Sequence, residues 1–436
     1  MRAENPQLSE SLGPHLREAC VTMKHEHVTQ TQQSFDVVVV GGGPAGATAA
    51  TLLAQAGHKV GLFERQAFPR FHVGESLVPA VNLTLDKLGV RDRMDALRFP
   101  QKHGVQFYGA DGPSRPFYFS EVADPRMHHT WQVLRSDFDR MLLENARAAG
   151  AHVETDTQVV EVCLEGDTAT GVRVRRLDES EATVRARVVL DASGQKGVIP
   201  RELSRQEGVP GLENTAVYAH YEGVRLDPGI DAGSTLIYRL DAKSWIWFIP
   251  LPDVVSIGLV TSAREILRFG QNRDEILQAG IDRCPHLKER LVDAKIAGEV
   301  RVARDFSYRA ARDGGPGWAL IGDALGFIDP VYSTGLLLSV RSAELLASEV
   351  TCALASDDEH PDMQGRSGEW QVAFDRFLPL VRAFYTEDFR FGELSKHDAH
   401  RQGLTDLLTG IVDTKEAIGV TAKIQQMFDE EVAAGS

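Results

Sequence analysis

The stretch FDVVVVGGGPAGATAATLLAQAGHKVGLFER, residues 35–65, decides the fold. Four consecutive valines at 37–40 are typical of a strand that is buried on both faces of a parallel sheet. A glycine-rich turn follows, and the alanine-rich residues 44–56 then predict a helix that begins with proline and is followed by glycine. A second strand, 59–63, ends at Glu64. These residues predict a strand–helix–strand unit of an open α/β sheet.

The glycines of this turn stand in G-x-G-x-x-G register, and each has a physical task. Gly41 allows the tight turn, Gly43 lets a pyrophosphate approach the backbone, and Gly46 lets the helix pack close to the strand. The helix N-terminus offers free N–H groups and a partial positive charge to a phosphate. Glu64 lies 18 residues after Gly46, where a carboxylate can accept a hydrogen bond from a ribose hydroxyl. Together these features predict a dinucleotide site.

The composition is typical of a soluble globular chain of 436 residues, long enough for two or three domains. Its net charge of −15 disfavours nucleic acid and anionic membrane surfaces as partners. No window is free enough of charge and proline to span a membrane, and residues 1–34 lack the apolar core of a secretory signal, so we expect a disordered tail there. The four cysteines are scattered, which favours reduced thiols in a cytoplasm: Cys20, Cys163, Cys284 and Cys352.

The order of the elements predicts a discontinuous nucleotide domain with an inserted antiparallel β-sheet. Residues 151–190 have the pattern of a β-meander, and 217–260 are rich in β-branched and aromatic residues. A buried strand at 318–323 then returns to the first sheet. The periodicity of residues 264–291 and 342–354 predicts helices. The expected domains are 35–105, 125–210 and 300–355 for the nucleotide, 106–124 and 211–299 for a substrate sheet, and 356–436 for a C-terminal helical region.

Three segments resemble the flavin-dependent aromatic hydroxylase fold, of the p-hydroxybenzoate hydroxylase type. They are GGGPAG at 41–46, Arg135 at the start of a predicted helix, and the Gly-Asp pair within WALIGDALGFIDP at 318–330. The resemblance covers residues 35 to about 355 and implies that FAD is the dinucleotide. The residues that it implies as cofactor contacts are Gly41, Gly43, Ala45, Gly46, Glu64, Arg65, Arg135 and Asp323.

The segment Trp245-Ile246-Trp247-Phe248-Ile249-Pro250 matches W-x-W-x-I-P and resembles the flavin-dependent halogenases. At strand period both indoles point to one face of a sheet. In that family this bulk keeps the organic substrate away from the flavin, and Trp245, Trp247 and Pro250 carry the role over. The alternative is a pair of tryptophans in an ordinary core strand.

A lysine supports the same family. The segment 74–76, Gly-Glu-Ser, and its spacing to Lys102 resemble the G-E-(A/S) block of the halogenases and their downstream catalytic lysine. A surface lysine without a catalytic role is the alternative. His103, beside it, is expected to line the site rather than to react.

The segment 329–335, DPVYSTG, resembles the halide loop of the family. The resemblance implies that backbone N–H groups of Thr334 and Gly335 hold the halide, as the start of a helix can. The tryptophan halogenases have a glutamate where this chain has Tyr332. The phenol and pyrrole branch, whose rings are already rich in electrons, is therefore the closer match.

The resemblance also implies the reaction. With no second G-x-G-x-x-G for a nicotinamide cofactor, FADH2 would come from a separate flavin reductase and react with O2 to a flavin C4a-hydroperoxide. Chloride or bromide would then become hypohalous acid, which migrates to Lys102. The lysine could donate a hydrogen bond as an ammonium ion, or form a haloamine if burial lowers its pKa, and both routes stay open.

We expect a small phenolic substrate, and the candidate contacts to it are His103, His128, His129 and Tyr332. A net charge of −15 favours a free substrate over one tethered to an acidic acyl carrier protein, although arginines between 173 and 187 offer a docking strip. Three other functions remain as alternatives: an aromatic monooxygenase, a reductase of prenyl chains, and a flavin-binding protein without catalysis.

Overall fold

The computed structural model describes residues 33–109, 112–199, 201–304, 307–386, 394 and 396–434. Most of the tail expected at 1–34 lies outside this range, and Ser34 already belongs to the first strand. The described helices are α1 (Pro44–Gln55), α2 (Val81–Lys87), α3 (Arg91–Ala96), α4 (Arg135–Ala148), α5 (Arg273–Asp282), α6 (Pro285–Arg290), α7 (Gly335–Leu354), α8 (Gly368–Phe384), α9 (Asp398–Thr409) and α10 (Lys415–Ala434).

The described strands are β1 (Ser34–Val40), β2 (Val60–Phe63), β3 (Gln101–Lys102), β4 (Gly104–Gly109), β5 (Gly112–Pro113), β6 (Phe117–Tyr118), β7 (Thr130–Trp131), β8 (His152–Glu154), β9 (Thr157–Glu165), β10 (Thr168–Arg176), β11 (Glu181–Asp191), β12 (Gln206–Gly208), β13 (Asn214–Glu222), β14 (Thr235–Arg239), β15 (Ser244–Pro250), β16 (Val255–Ser262), β17 (Lys295–Arg304), β18 (Tyr308–Ala310), β19 (Gly314–Gly315), β20 (Trp318–Leu320) and β21 (Gly326–Phe327).

A parallel sheet collected from distant parts of the chain carries the glycine turn. Its strands lie in the order β20-β11-β1-β2-β8, all parallel, while β10, β9 and β19 extend it with antiparallel pairs. The four valines of β1 are at most 4% exposed, as their unbroken apolar run predicts. Val37 and Val39 belong to one apolar cluster with α1 and α7, and Val38 and Val40 belong to another that includes valines of β9, β10 and β11. The late return of β20 to β11 confirms the discontinuous α/β architecture.

The N-terminus of α1 packs against the glycine turn. Pro44 occupies the first turn of the helix, where its missing N–H costs nothing. A Cβ at Gly46 would lie 1.9 Å from the carbonyl oxygen of Gly41, so only glycine permits this approach of helix to turn. Alanines along α1 let it lie close to α7, and both helices bury their apolar side chains on the same sheet.

A second, largely antiparallel sheet lies on the other side of the site, in the order β17-β13-β16-β15-β14-β4-β5. Trp247 of β15 faces Gly258 of β16, and a Cβ there would meet the indole at 2.2 Å. The sheet includes Gly104–Gly109 and Lys295–Arg304 at its two sides, beyond the substrate-domain boundaries that the sequence suggested.

Two helical predictions were wrong in their extent. The helix expected from Ser342 begins seven residues earlier, at Gly335, directly after the loop that ends at Thr334. The segment 264–291 was expected to be helical throughout, but α5 begins only at Arg273, after the Asn272 side chain accepts a hydrogen bond from the Glu275 N–H. A break before Pro285 then separates α6.

The region after residue 365 is mostly helical, as expected. Helix α8 packs against α7 and α10, and α9 packs against α10. Among the described residues, no helix has both the length and the apolar character needed to cross a bilayer. Three of the cysteines, Cys163, Cys284 and Cys352, are free thiols, and Cys20 lies outside the described range.

We expect Gly46→Ala to lower the free energy of unfolding by about 1–3 kcal/mol, the usual cost of overpacking, because the methyl group collides with the Gly41 carbonyl. Urea denaturation measures it. Gly419→Ala in α10 is the control, since nothing lies within 4 Å of its Cβ position, and it should gain about 0.5–1 kcal/mol. A Gly46→Ala protein as stable as wild type would contradict the packing argument.

Candidate active site

A cavity of about 450 Å³ opens beside the glycine turn. Its walls come from the turn and the start of α1, the end of β2, the start of α4, the turn after β11, and the start of α7. The predicted cofactor residues that line it are Gly41, Gly43, Ala45, Glu64, Arg65, Arg135 and Asp323. Gly46 lies behind the turn instead, where it sets the position of the helix.

The Glu64 carboxylate is held in place at the end of β2. One oxygen accepts the Gly42 N–H at 2.7 Å and the other accepts the Gln66 N–H at 2.9 Å. Since each carboxylate oxygen has two lone pairs, both can accept one more hydrogen bond. Glu64 is thus an oriented acceptor at the edge of the cavity.

Two arginines share one buried carboxylate beside the glycine turn. Asp139 accepts the Nε–H of Arg135 at 2.7 Å and lies 3.2 Å from the Nη1 of Arg70. With two cations and one anion, the group has an excess positive charge next to Gly43, where a Cβ would lie 3.5 Å from Arg70. The Arg135 charge and burial lower the pKa of His72, also in the cavity wall, to about 4. This wall is suited to an anion.

Asp323 follows Gly322, which has a φ of +61° and donates its N–H to the Ser342 hydroxyl at 2.8 Å. The Asp323 carboxylate accepts the Ser339 hydroxyl at 3.3 Å. Burial raises the pKa of Asp323 to about 6, which Arg135 and Ser339 partly oppose. Asp323 is therefore a half-buried polar group in the cavity wall.

The predicted halide loop ends at the N-terminus of α7. Asp329 accepts the Val331 N–H at 3.0 Å and caps the short helical turn Pro330–Tyr332, after which Ser333 has a left-handed φ of +57°. The first four N–H groups of a helix have no partner within it, and the dipole of this 20-residue helix adds partial positive charge there. Gly335 lines the large cavity at this point.

A second, smaller cavity of about 80 Å³ adjoins the large one. The two share Val73, Gly74, Phe327, Gly335 and Leu336 in their walls. The small cavity continues past the loop to other groups, which are Glu75, Ser76, Thr235, Ile237, Trp247, Ile249, Pro330 and Ser333. It connects the start of α7 with the second sheet.

The two tryptophans of W-x-W-x-I-P have different surroundings. Trp247 borders the small cavity, whereas the Trp245 indole N–H donates to the Tyr385 hydroxyl at 2.7 Å. Tyr385 in turn donates to Asp329 at 2.9 Å. Trp245 is therefore linked through Tyr385 to the loop that caps α7, while Pro250 ends the strand opposite Val255.

Lys102 is completely buried. Its ammonium donates to the Ser76 hydroxyl at 2.8 Å and to the Leu77 carbonyl at 2.9 Å, and it lies 5.6 Å from the centre of the Phe119 ring. Burial lowers its pKa to about 7, so the charged and neutral forms are both populated near neutral pH. Ser76 belongs to the small cavity, which places the amine one hydroxyl away from it.

The other candidate contacts lie apart from the small cavity. The rings of His103 and His129 are 5.7 Å apart, and His128 is within 3.0 Å of the Val122 carbonyl oxygen. Burial lowers the pKa values of His103 and His129. Tyr332 is buried and donates to the Leu380 carbonyl at 3.1 Å.

Comparison with known proteins identifies the family. The model of the FAD binding domain family matches residues 34–360. A brominase of pyrrole-2-carbonyl groups on a peptidyl-carrier protein, from Pseudoalteromonas luteoviolacea, is 32% identical over 87% of this chain and 92% of its own length. The chain belongs to the flavin-dependent halogenases.

Two other halogenases are similarly close. A tryptophan 2-halogenase from Chondromyces crocatus is 32% identical over 83% of this chain and 70% of its own length. The structure of the flavin-dependent brominase Bmp2 superposes with a TM-score of 0.83 at 29% identity, over 92% of this halogenase and all of Bmp2. FAD is thus the cofactor and halogenation the activity.

The residues that line the large cavity suit FAD. The glycine turn permits close approach, Arg70 and Arg135 supply positive charge for the pyrophosphate, and Glu64 presents an acceptor for a ribose hydroxyl. The assignment of individual residues to parts of the cofactor stays a prediction.

Sequence reasoning missed several residues of the site. Arg70 carries no motif, and the one signal for Asp139 was its position four residues after Arg135 on a predicted helix. Ser76 was quoted within the Gly-Glu-Ser block without a role. Tyr385 could not have been found, since its partners Trp245 and Asp329 are more than 50 residues away.

We expect the pKa of Lys102 to appear in the pH dependence of stability. Between about pH 7 and 10.5 the unfolded lysine binds a proton that the folded one does not, so the free energy of unfolding rises with pH in that window. Relative to that of the Lys102→Met variant, the free energy of unfolding of wild type should rise by up to about 1.4 kcal/mol per pH unit. Urea denaturation of both from pH 7 to 10 measures this, and parallel profiles would contradict the lowered pKa.

Removing the Tyr385 hydroxyl should leave the buried Trp245 N–H without a partner and take away one of the three hydrogen bonds that Asp329 accepts. We expect Tyr385→Phe to lower the free energy of unfolding by about 1–3 kcal/mol, the usual cost of one buried polar group left unsatisfied. Tyr238→Phe is the control, because its buried hydroxyl has no hydrogen-bond partner among the described residues. Equal stability of the two variants in thermal and urea denaturation would rule out the link.

Proposed function

We propose that this halogenase chlorinates or brominates an electron-rich aromatic ring, with Lys102 as the catalytic residue. The observation that carries the proposal is the position of the Lys102 amine, 2.8 Å from Ser76, a residue that lines the small cavity beside the start of α7. The proposal includes the predicted nucleotide and substrate domains, the substrate domain extended to hold all of β4 and β17, a separate flavin reductase as electron source, and a reducing cytoplasmic location.

The halide site is the backbone of Thr334 and Gly335. When bound, the reduced flavin supplies the oxidation of halide by O2 to hypohalous acid. The free N–H groups at the start of α7 hold the anion at the point where both cavities share Gly335, so halide and oxidant meet at the mouth of the small cavity. Trp247 closes the side toward the second sheet.

Lys102 acts at the other end of this path. Its ammonium form donates a hydrogen bond to the oxygen of hypohalous acid, which makes the halogen more electrophilic. As the ring takes the halogen, that oxygen takes a proton from Lys102 and leaves as water, and the proton lost from the ring carbon restores the ammonium. The pKa of about 7 suits this exchange near neutral pH.

The ring itself must be reactive. Tyr332 stands where tryptophan halogenases have a glutamate, and its hydroxyl is engaged with the Leu380 carbonyl. A phenol or a pyrrole supplies the electron density that such a carboxylate would otherwise help to provide. The tryptophan 2-halogenase is 32% identical to this chain, as the pyrrole brominase is, although the match covers a smaller part of its own length. Because of this similarity, indole belongs in the substrate panel.

A carrier-tethered ring is the second candidate. The pyrrole brominase, whose substrate is bound to a peptidyl-carrier protein, matches over 92% of its length. The predicted arginine strip gives this candidate no support, because Arg173 pairs with Glu161 and Glu181, and Arg176 pairs with Glu154. Arg187 donates instead to three backbone carbonyls, including that of Leu354 at 3.1 Å.

The test is a product assay by mass spectrometry with FAD, a generic flavin reductase, NADH and chloride or bromide. Its three arms are small phenols and pyrroles, tryptophan, and a pyrrolyl carrier protein. We expect a halogen isotope pattern in wild type and in Lys243→Ala, an exposed lysine, and its loss in Lys102→Ala. Halogenation that survives Lys102→Ala would remove the lysine from the mechanism, and oxygen insertion independent of halide would indicate a monooxygenase.

A further inference from the structure

Two hydroxyls stand between the small cavity and Lys102. Ser76 and Thr235 both line this cavity, and their side-chain oxygens are 3.0 Å apart. The Ser76 oxygen accepts from the Lys102 amine at 2.8 Å, and the Thr235 oxygen accepts from the Gln132 amide at 2.9 Å. Both residues are at most 5% exposed.

The hydrogen-bond partners of this pair leave one of its two hydroxyl hydrogens without an acceptor. An ammonium and an amide NH2 can only donate, so protonated Lys102 and the Gln132 amide fill acceptor positions on the two hydroxyls. Ser76 and Thr235 then share one hydrogen between them, in either direction. The second hydroxyl hydrogen has no acceptor among the hydrogen bonds of the described residues, and it is available to a molecule in the cavity.

The rest of the cavity wall is mostly apolar. The apolar side chains in it are Val73, Ile237, Trp247, Ile249, Phe327 and Leu336. Of the other polar side chains, Glu75 already accepts a hydrogen bond from the His220 ring at 2.7 Å, and Ser333 lies at the far end in the segment 329–335. In apolar surroundings a hydrogen bond is electrostatically stronger than in water, so the hydroxyl donor favours the binding of a small polar molecule.

The pair is also held rigidly. Ser76 forms a β-bridge with Gln132, and the flanking residues hydrogen-bond across it, Val133 N–H to the Glu75 carbonyl at 2.7 Å and Leu77 N–H to Trp131 at 3.2 Å. The Gln132 amide also donates to the Gly233 carbonyl at 2.9 Å, which fixes it relative to Thr235. The backbone that carries Ser76 and the amide that donates to Thr235 are therefore both held by hydrogen bonds.

We propose that the Ser76–Thr235 hydroxyl pair captures hypohalous acid in the small cavity and hands it to Lys102. This inference rests on the proposed function. The free hydroxyl hydrogen donates to the oxygen of the acid, and no covalent bond changes in this step. The pair is a positioning element: it retains the oxidant next to the amine, so that less of it escapes into solution before the ring reacts.

The partition of oxidant between product and solution tests the proposal. We expect Ser76→Ala to lower aromatic halogenation about tenfold, as for one lost hydrogen bond, and to raise the hypohalous acid trapped by a soluble scavenger. Oxygen consumption and the half-saturating halide concentration should stay unchanged. Ser76→Thr should restore the partition, and Thr235→Val should shift it in the same direction as Ser76→Ala but less.

Ser244→Ala is the matched control, because Ser244 forms a similar buried pair with Thr261 at 2.9 Å in the same sheet. Its partition should equal that of wild type. An unchanged partition in Ser76→Ala would overturn the hand-off and leave the halogenase mechanism standing, and a raised half-saturating halide concentration would assign the pair to halide instead. Wild type that yields neither product nor trapped oxidant would overturn the proposed function itself.

Discussion

The pairing of residues 75–77 with residues 131–133 is the constraint on which the site depends. On one side, the segment 75–77 is bonded to β7 and its continuation through the Glu75 carbonyl and the Leu77 N–H. On the other side, Trp131 pairs with Gln101 in β3, which places Lys102 next to Ser76 and the Leu77 carbonyl. One short piece of extended chain thus borders the small cavity and carries both hydrogen-bond acceptors of the amine. Moving it would separate the lysine from the path of the oxidant.

The positive groups of the site are of two kinds, those with a fixed charge and a lysine whose charge can change. The regions proposed to bind anions have fixed positive groups, which are the starts of α1 and α7 and the pair Arg70 and Arg135 around Asp139. Lys102, by contrast, is buried without a carboxylate partner in its hydrogen bonds, and desolvation lowers its pKa to about 7. An ion pair there would have stabilised the charge and kept the lysine protonated. Leaving the amine to neutral acceptors lets it release and regain a proton near neutral pH.

Local sequence patterns predicted the features that depend on residues close in sequence. The valines of β1, the glycines of the turn and the reach from Gly46 to Glu64 depend on residues close in sequence, and the structure brings the end of β1, the turn and Glu64 together around one cavity. Tyr385 and Thr235 depend on contacts with partners far along the chain, and nothing near them in sequence signals those contacts. The amine of Lys102 was expected at the site, but its burial and its lowered pKa follow from the β3–β7 pairing, which no pattern within either two-residue strand reveals.

The size of the small cavity explains why an oxidant must travel at all. At about 80 Å³ it has roughly half the volume of a cavity of ~150 Å³ that accommodates benzene. Hypohalous acid, a molecule of three atoms, is nearer to this size than an aromatic ring is. Trp247 and Ile249 set this limit on the side of the second sheet, and Trp247 can lie flat there only because Gly258 opposes it. In the proposed function, the small cavity therefore separates flavin chemistry from ring chemistry by size, and the hydroxyl donor in its wall compensates for the loss of water around the oxidant.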